Sequence, residues 1–167
     1  MAHNQEENHK KVSEEKGHKA LATLLAPFHA FVTYEPLRTD VPFTDYVSLE
    51  HADTIYGIKP RASLDPVEEA RKSKETLSCQ GSTLTEVAIF IPGRRFDTLG
   101  TRHGQGGGWY DRFLAQVPNT WLRVGFCYDD QFSNEPLVRQ SWDQAMDAVC
   151  VVSRGGDTMC LYRGKRI

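Results

Sequence analysis

A run of six residues, Val-Ala-Ile-Phe-Ile-Pro at Val87–Pro92, is the feature that most narrowly limits how this chain can fold. A strand with one face in water alternates apolar with polar residues, whereas this run contains no polar side chain. It therefore predicts a strand buried on both faces, and Pro92-Gly93 predicts where that strand ends. Such a strand needs helices on either side of its sheet, which indicates a layered α/β domain.

Other apolar segments supply the remaining predicted elements. Strands are expected at residues 29–34, 122–127, 148–153 and 159–162, and helices at residues 20–25, 42–49, 67–75 and 109–115. This alternation predicts an α/β fold with a mainly parallel sheet. Between residues 52 and 85 the pattern weakens, because Gly57, Pro60 and Pro66 interrupt it. No strand is expected there, so a neighbouring strand is expected to have an open edge unless another segment or chain covers it.

Composition bounds the function classes. The 167 residues include 20 Lys and Arg against 22 Asp and Glu, a formal net charge of -2. This length suits one domain with its own core, which we place at residues 20–167 after a flexible polar arm at residues 1–19. A near-zero charge gives no general attraction to nucleic acid or membranes, and no apolar run approaches the ~20 residues that span a bilayer. We expect neither as a partner.

The cysteines indicate a cellular compartment. None of the four has C-x-x-C spacing, so a zinc or disulfide framework is disfavoured. Buried thiols in a reducing compartment are expected, which makes the cytoplasm the predicted location. The four are Cys79, Cys127, Cys150 and Cys160.

A glycine-rich loop follows the buried strand. Five of the chain's 13 glycines lie between Gly100 and Gly108, before a predicted helix. Glycines let backbone N–H groups approach an anion, and a helix N-terminus adds a positive dipole end. Arg102 could bind phosphate oxygens and Asp111 a divalent cation. The spacing matches neither the P-loop nor the dinucleotide-binding fingerprint. The alternatives are therefore a phosphate-binding loop, which we favour, and a mobile surface turn.

The same segment resembles the signature of the 5-formyltetrahydrofolate cyclo-ligase family, also called methenyltetrahydrofolate synthetases. The resemblance is carried by Ile91-Pro92-Gly93-x-x-Phe96-Asp97-x-x-Gly100-x-Arg102-x-Gly104-x-Gly106-Gly107-Gly108-x-Tyr110-Asp111-Arg112-Phe113-Leu114. Shorter matches occur in the family's order: Tyr34-x-Pro36, Asp40-Val41, Tyr56-Gly57-Ile58-x-Pro60, Val124-Gly125-Phe126, Gln131 and Asp143-x-x-Met146-Asp147-Ala148-Val149. Together they cover about residues 24–154.

The resemblance implies both a topology and a reaction. The topology is a single three-layer α/β domain of the cyclo-ligase-like (NagB/RpiA/CoA-transferase-like) kind. The reaction is the ATP- and Mg²⁺-dependent conversion of 5-formyltetrahydrofolate to 5,10-methenyltetrahydrofolate, with release of ADP and phosphate. The implied partner is the folate substrate alone, on a monomer or weak homodimer.

The resemblance also implies roles for residues at matching positions. Catalysis falls on Arg102 and Tyr110. ATP contacts fall on Arg102, His103, Gly104, Gln105, Gly106, Gly107, Gly108, Trp109 and Tyr110. Folate contacts fall on Glu35, Asp40, Gln105, Gly106, Gly107, Gly108 and Trp109, and Mg²⁺ ligands on Asp111 and Asp143. Structural alternatives remain open: Asp40 as a helix cap, Trp109 and Tyr110 as core aromatics, and Asp143 in a solvated turn.

Some positions depart from the family's pattern. The basic helix usual at the N-terminus is not reproduced by Lys10, Lys11, Lys16 and Lys19, and Asp40 stands where a glutamate is usual. Trp142 replaces a histidine, and Gln140 a carboxylate. These departures keep a second hypothesis open, a weakly active or inactive member that binds a nucleotide or folate. Nucleic-acid binding through the basic residues Arg94, Arg95, Arg102, Arg163, Lys165 and Arg166 is a third, less favoured hypothesis.

Overall fold

The computed structural model describes residues 17–59, 64–79 and 86–164, and these ranges contain three α-helices and nine strands. Within them the helices are α1 (17–25), α2 (Pro66–Cys79) and α3 (Trp109–Leu114). The strands are β1 (Ala30–Tyr34), β2 (Thr54–Ile58), β3 (Val87–Pro92), β4 (Arg95–Asp97), β5 (Arg102–His103), β6 (Leu122–Tyr128), β7 (Phe132–Ser133), β8 (Ala148–Val152) and β9 (Met159–Arg163).

Six strands form the central sheet in the order β2-β1-β3-β6-β8-β9. Five of them are parallel, and β9 joins antiparallel to β8 at one edge. The predicted α/β class with a mainly parallel sheet is confirmed.

Strand β3 lies inside this sheet and is covered on both faces. Val87, Ile89 and Ile91 face a cluster formed with α2 and α3, whereas Ala88 and Phe90 face a cluster formed with α1 and residues 41–52. All five are fully buried. Because strand side chains alternate between faces, a strand packed on both sides needs apolar residues throughout, as the sequence predicted.

The middle of the chain differs from the sequence-based expectation. The prediction that this region contains no strand was wrong, since β2 pairs in parallel with β1 and covers its edge. The short charged helix is the 14-residue α2. β2 was missed because it is an edge strand, buried only at its ends and with Ile55 47% exposed, so it lacks a continuous apolar run. A hydrogen bond from the Tyr56 hydroxyl to Glu69 (2.7 Å) joins β2 to α2.

Three smaller expectations also need correction. The helix predicted at residues 42–49 is only a 3-10 turn, Phe43–Asp45. Residues 17–19, assigned to the flexible arm, are helical in α1, where Gly17 packs against the carbonyl of Met159; residues 1–16 lie outside the described ranges. Cys127 and Cys150 are buried free thiols as predicted, but Cys160 on edge strand β9 is exposed.

The strand order predicts a ligand-binding crevice at one end of the sheet. From β1 the chain passes to β2 on one side and then to β3 on the other, so connections diverge at the carboxyl ends of β1 and β3. Open parallel sheets bind ligands at such a point. No helix within the described residues is long and apolar enough to cross a membrane.

Candidate active site

A small second sheet folds the glycine-rich segment back over the end of β3. Strand β4 pairs antiparallel with β5 and parallel with β7. Phe96 of β4 is fully buried and packs close to Gly93, where an added Cβ would lie 2.9 Å from the Phe96 ring. This close approach requires glycine and brings Arg102, opposite Phe96 in the β4–β5 pair, over the end of β3.

Asp97 fixes the turn between β4 and β5. Its carboxylate is fully buried and accepts hydrogen bonds from the backbone amides of Leu99 (2.9 Å), Thr101 (2.8 Å) and Leu137 (2.8 Å). A buried carboxylate with three N–H donors is well satisfied. Asp97 belongs to the family motif without a predicted role, and the structure shows that it anchors the loop.

Arg102 lies at the centre of the candidate site. The residue is only 9% exposed, and its Nε donates to the Pro92 carbonyl oxygen (2.6 Å). The guanidinium carbon lies 4.8 Å from the centre of the Tyr110 ring, a cation–π distance. Within the described chain, the terminal Nη1 and Nη2 groups have no hydrogen-bond acceptor. The side chain is therefore held in place with its forked end available to a ligand.

Acidic groups surround this cation. Burial lowers the pKa of Arg102, and interaction with Tyr110, Asp111, Asp40 and Asp143 opposes that shift. Three carboxylates well separated in sequence thus act on one guanidinium. Burial also raises the pKa of Tyr110, which Arg102 only partly offsets, so the phenol stays protonated at neutral pH.

The loop between Arg102 and α3 is open on its outer side. Gly106 and Gly108 have φ of 94° and 65°, which favour glycine, and a Cβ added at Gly106, Gly107 or Gly108 would meet no atom within 4 Å. Gly104 differs, since a Cβ there would lie 2.9 Å from Arg102 Nη2. The space beside the loop can accept a phosphate. Because α3 has only six residues, its dipole adds less than we expected, and Arg102 is the main positive charge.

The two predicted metal ligands are linked by a hydrogen bond between a backbone amide and a carboxylate. Asp111 Oδ1 accepts from the amide of Gln144, the residue after Asp143, at 2.9 Å. Asp143 Oδ2 accepts from the Gln140 amide at 2.7 Å. The other oxygen of each carboxylate has no hydrogen bond from the described residues. Those residues contain no group of three or more His, Cys, Asp or Glu side chains able to hold a metal ion. Two carboxylates nevertheless fit Mg²⁺ that is bound together with substrate phosphates.

Asp40 follows β1 on the other side of the crevice. Its Oδ2 accepts from the Leu37 amide (2.9 Å), so it closes a turn and caps no helix. Burial raises the pKa of Asp40, while the Leu37 hydrogen bond and Arg102 act in the opposite direction. Beside it, the buried Tyr34 hydroxyl donates to the Val41 carbonyl (2.5 Å). Glu35 is exposed and is not among the groups that act on the pKa of Arg102.

Other predicted contact residues have structural partners. His103 Nε2 lies 2.6 Å from the Val138 carbonyl oxygen, so its ring faces away from the glycines toward residues 137–140. The Trp109 indole donates to Leu64 O (2.8 Å) and stacks on Phe113 with 5.5 Å between ring centres. Much of the Trp109 side chain therefore packs as a core aromatic does, as the structural alternative for this residue predicted. Gln105 is exposed at the loop.

A segment that the sequence analysis did not assign supports the loop. Arg139 Nη2 donates to Thr101 Oγ1 (2.8 Å) and to Leu99 O (3.3 Å), next to the bond from the Leu137 amide to Asp97. No sequence signal identifies this support, because the segment is polar and irregular. On the same segment, Trp142 is 64% exposed beside Asp143.

Comparisons with known proteins agree with this architecture. The sequence model of the 5-formyltetrahydrofolate cyclo-ligase family matches residues 19–152. A 5-formyltetrahydrofolate cyclo-ligase of Mycoplasma pneumoniae is 25% identical over 140 residues, 81% of this chain and 82% of that protein. One of Mycoplasma genitalium is 36% identical over 64 residues, 36% of each chain. The solved structure of a 5,10-methenyltetrahydrofolate synthetase from Mycoplasma pneumoniae matches with a TM-score of 0.51 and 19% identity, covering 86% of this chain and 85% of that one. The structural likeness confirms the fold.

Proposed function

The chain belongs to the 5-formyltetrahydrofolate cyclo-ligase family, and on that premise we propose that it converts 5-formyltetrahydrofolate to 5,10-methenyltetrahydrofolate, using ATP and Mg²⁺ and releasing ADP and phosphate. The observation that carries this proposal is the buried Arg102 guanidinium, whose terminal nitrogens have no acceptor in the described chain. A buried cation with free donors next to an open glycine loop suits a transferring phosphoryl group.

The proposed reaction has two steps. The formyl oxygen attacks the γ-phosphorus of ATP, and the bond to the β-phosphate oxygen breaks to release ADP. Folate N10 then attacks the formyl carbon and loses its proton, and the carbon–oxygen bond breaks to release phosphate. Phosphoryl transfer needs positioning and charge neutralisation more than covalent help from a protein. Arg102 and the glycine loop would supply both.

Arg102 has the central role in this scheme. Its bond to Pro92 O and its contact with the Tyr110 ring fix the guanidinium before substrate arrives. A preorganised donor stabilises developing charge without reorganising during the reaction. Tyr110, protonated at neutral pH, supplies the ring face that supports Arg102.

The loop would hold the ATP phosphates. Backbone amides of the loop would bind phosphate oxygens in the space beside Gly106, Gly107 and Gly108, where an added Cβ would meet no atom within 4 Å. The exposed Gln105 and the main chain of Trp109 would contact ATP or folate.

Asp111 and Asp143 would hold Mg²⁺, each through the oxygen left without a hydrogen bond from the described residues. When bound, Mg²⁺ supplies positive charge that neutralises phosphate oxygens. Fixing the two carboxylates is the contribution of this chain.

Asp40 would bind the folate from the β1 side of the crevice. It lies near enough to Arg102 to interact with it, and it is partly buried, as suits a group that contacts the reacting end of the substrate. Glu35, being exposed, would reach only the outer part of the ligand.

The direct test is turnover by the full chain with ATP and 5-formyltetrahydrofolate, followed by the ultraviolet absorbance of the methenyl product and by ADP release. Product formation that stops when EDTA removes Mg²⁺ is expected. No turnover with retained, Mg²⁺-dependent binding of ATP or folate would reject the enzyme and support a binding module. Failure to bind either ligand would reject both functions.

A further inference from the structure

Arg123 is a buried charged residue with no role in the scheme above. It lies in β6 opposite Ile89 of β3, near the middle of the central sheet, and is 1% exposed. Its strand neighbours Leu122 and Val124 face the α1 side, so its side chain projects toward the α3 side. Burying a guanidinium in a core costs free energy unless hydrogen bonds satisfy it. The groups that accept hydrogen bonds from Arg123 therefore indicate which part of the fold it stabilises.

Arg123 is hydrogen-bonded to the segment after Asp143. Arg123 Nη1 donates to Gln144 Oε1 (2.9 Å) and, more weakly, to Ala145 O (3.4 Å). The main chains are joined as well: the Arg123 amide donates to Asp147 Oδ2 (2.8 Å), and the Asp147 amide donates to Arg123 O (2.9 Å). One strand residue thus holds the segment at three points.

The same segment orients both metal-ligand candidates. The Gln144 amide donates to Asp111 Oδ1 (2.9 Å), which fixes one oxygen of that carboxylate. This amide belongs to the peptide group that joins Asp143 to Gln144. Any shift of Gln144 therefore displaces Asp143 and releases Asp111 together.

We propose that Arg123 is a positioning residue for the metal site: through Gln144 it holds Asp111 and Asp143 in the arrangement that binds Mg²⁺ beside the phosphates. The inference rests on the proposed function for the metal, but the positioning itself is a property of the chain. Residues outside the first coordination shell commonly fix the orientation of metal ligands in this way.

The test compares Arg123→Met with Arg112→Met. Arg112 is exposed and adjacent to Asp111, so its variant removes the same charge without breaking the link between Arg123 and Gln144. The first readout is hydrogen exchange of the Gln144 amide by NMR, without nucleotide. The second is Mn²⁺ affinity in the presence of a non-hydrolysable ATP analogue.

In Arg123→Met, faster exchange at Gln144 and weaker Mn²⁺ binding are expected, each by about tenfold or more, as for loss of a hydrogen bond from a charged group. Arg112→Met should change neither by more than about twofold. Unchanged exchange and unchanged Mn²⁺ affinity in folded Arg123→Met would overturn the proposal.

A second variant covers the case in which Arg123→Met does not fold. Gln144→Met keeps Arg123 and the amide of residue 144 but removes the side-chain acceptor, and the same two changes are expected. Unchanged values in Gln144→Met would then overturn the proposal. If the parent protein binds no Mn²⁺ with the analogue, the proposed metal function fails, whereas exchange of the residue 144 amide still decides the positioning.

Discussion

Arg102 is the residue on which the candidate site most depends. Replacing it with alanine removes a fixed cation from a buried position, so kcat/KM for cyclo-ligation should fall by at least ~10²-fold, the loss typical of a preorganised charge-stabilising group. Steady-state kinetics at saturating Mg²⁺ measure the effect.

Arg112→Ala is the matched control for this variant. Arg112 is exposed on α3 and carries the same charge close to the loop. Similar losses in both variants, with both folded by circular dichroism, would mean that general positive charge matters and the placement of Arg102 does not.

Asp40 couples the site to pH. Because burial raises its pKa above the ordinary 3.8, the folded protein holds this proton more tightly than the unfolded chain does. The stabilisation is complete below pH 3.8 and is lost as pH rises through the raised pKa. Asp40→Asn cannot ionise, so its melting temperature relative to the parent should increase with pH across this window. Thermal unfolding between about pH 4 and 8 measures it.

The exposed Glu50→Gln variant is the control for that series. A difference between Asp40→Asn and the parent that stays constant with pH would contradict the prediction. The side-chain amide introduced by Asp40→Asn keeps an oxygen that can accept from the Leu37 amide, so the turn itself should survive.

At the scale of elements, a substitution in the glycine loop should be able to weaken ATP binding without lowering the stability of the protein. A Cβ at Gly107 meets no protein atom within 4 Å, and the φ of Gly107 is not in the left-handed region. Gly107→Ala should therefore change the free energy of unfolding by less than about 0.5 kcal/mol. It should nevertheless raise KM for ATP on the order of tenfold, because the methyl group occupies space proposed for phosphate.

Gly106→Ala provides the contrast. Its φ of 94° is unfavourable for alanine, so this variant should also lose about 1 kcal/mol of stability in denaturant unfolding. An unchanged KM in Gly107→Ala would show that ATP does not use this face of the loop.

Helices and strands were predicted correctly where a segment is apolar and buried along its length. Val87–Pro92 is apolar at every position, so its place inside the sheet followed from its sequence. β2 was missed because its pairing with β1 comes from backbone hydrogen bonds that any sequence can make, while its outer edge is exposed. The helix expected after Pro42 stops at one 3-10 turn, and Val41 and Phe43 pack into the core from an irregular segment.

At the scale of the whole molecule, ligand binding should stabilise the fold. A ligand at 100 times its dissociation constant adds about 2.7 kcal/mol, which in a domain of this size raises Tm by roughly 5–10 °C. We expect that shift with ATP and Mg²⁺ together and a much smaller one with ATP and EDTA. Differential scanning fluorimetry measures it, and equal shifts in both conditions would contradict a role for Mg²⁺.

The candidate site was only partly predictable. Motif positions predicted Arg102, Asp111 and Asp143 as candidates, and in the structure both carboxylates and Asp40 interact electrostatically with Arg102. The sequence could not show that the His103 ring turns toward Val138 or that Trp109 packs on Phe113, because those directions depend on the folded surroundings of each ring.

The sequence by itself determined the layered α/β class, the position of the central strand and the position of the glycine-rich loop, because these depend on local composition and spacing. Only the tertiary structure decided which groups hold that loop and its carboxylates in place. The hydrogen bond from the Leu137 amide to Asp97 and the one from Arg123 to Gln144 join residues 40 and 21 positions apart. Such contacts form only when the chain has folded, because the order of residues along the chain does not give the distance between two residues in space.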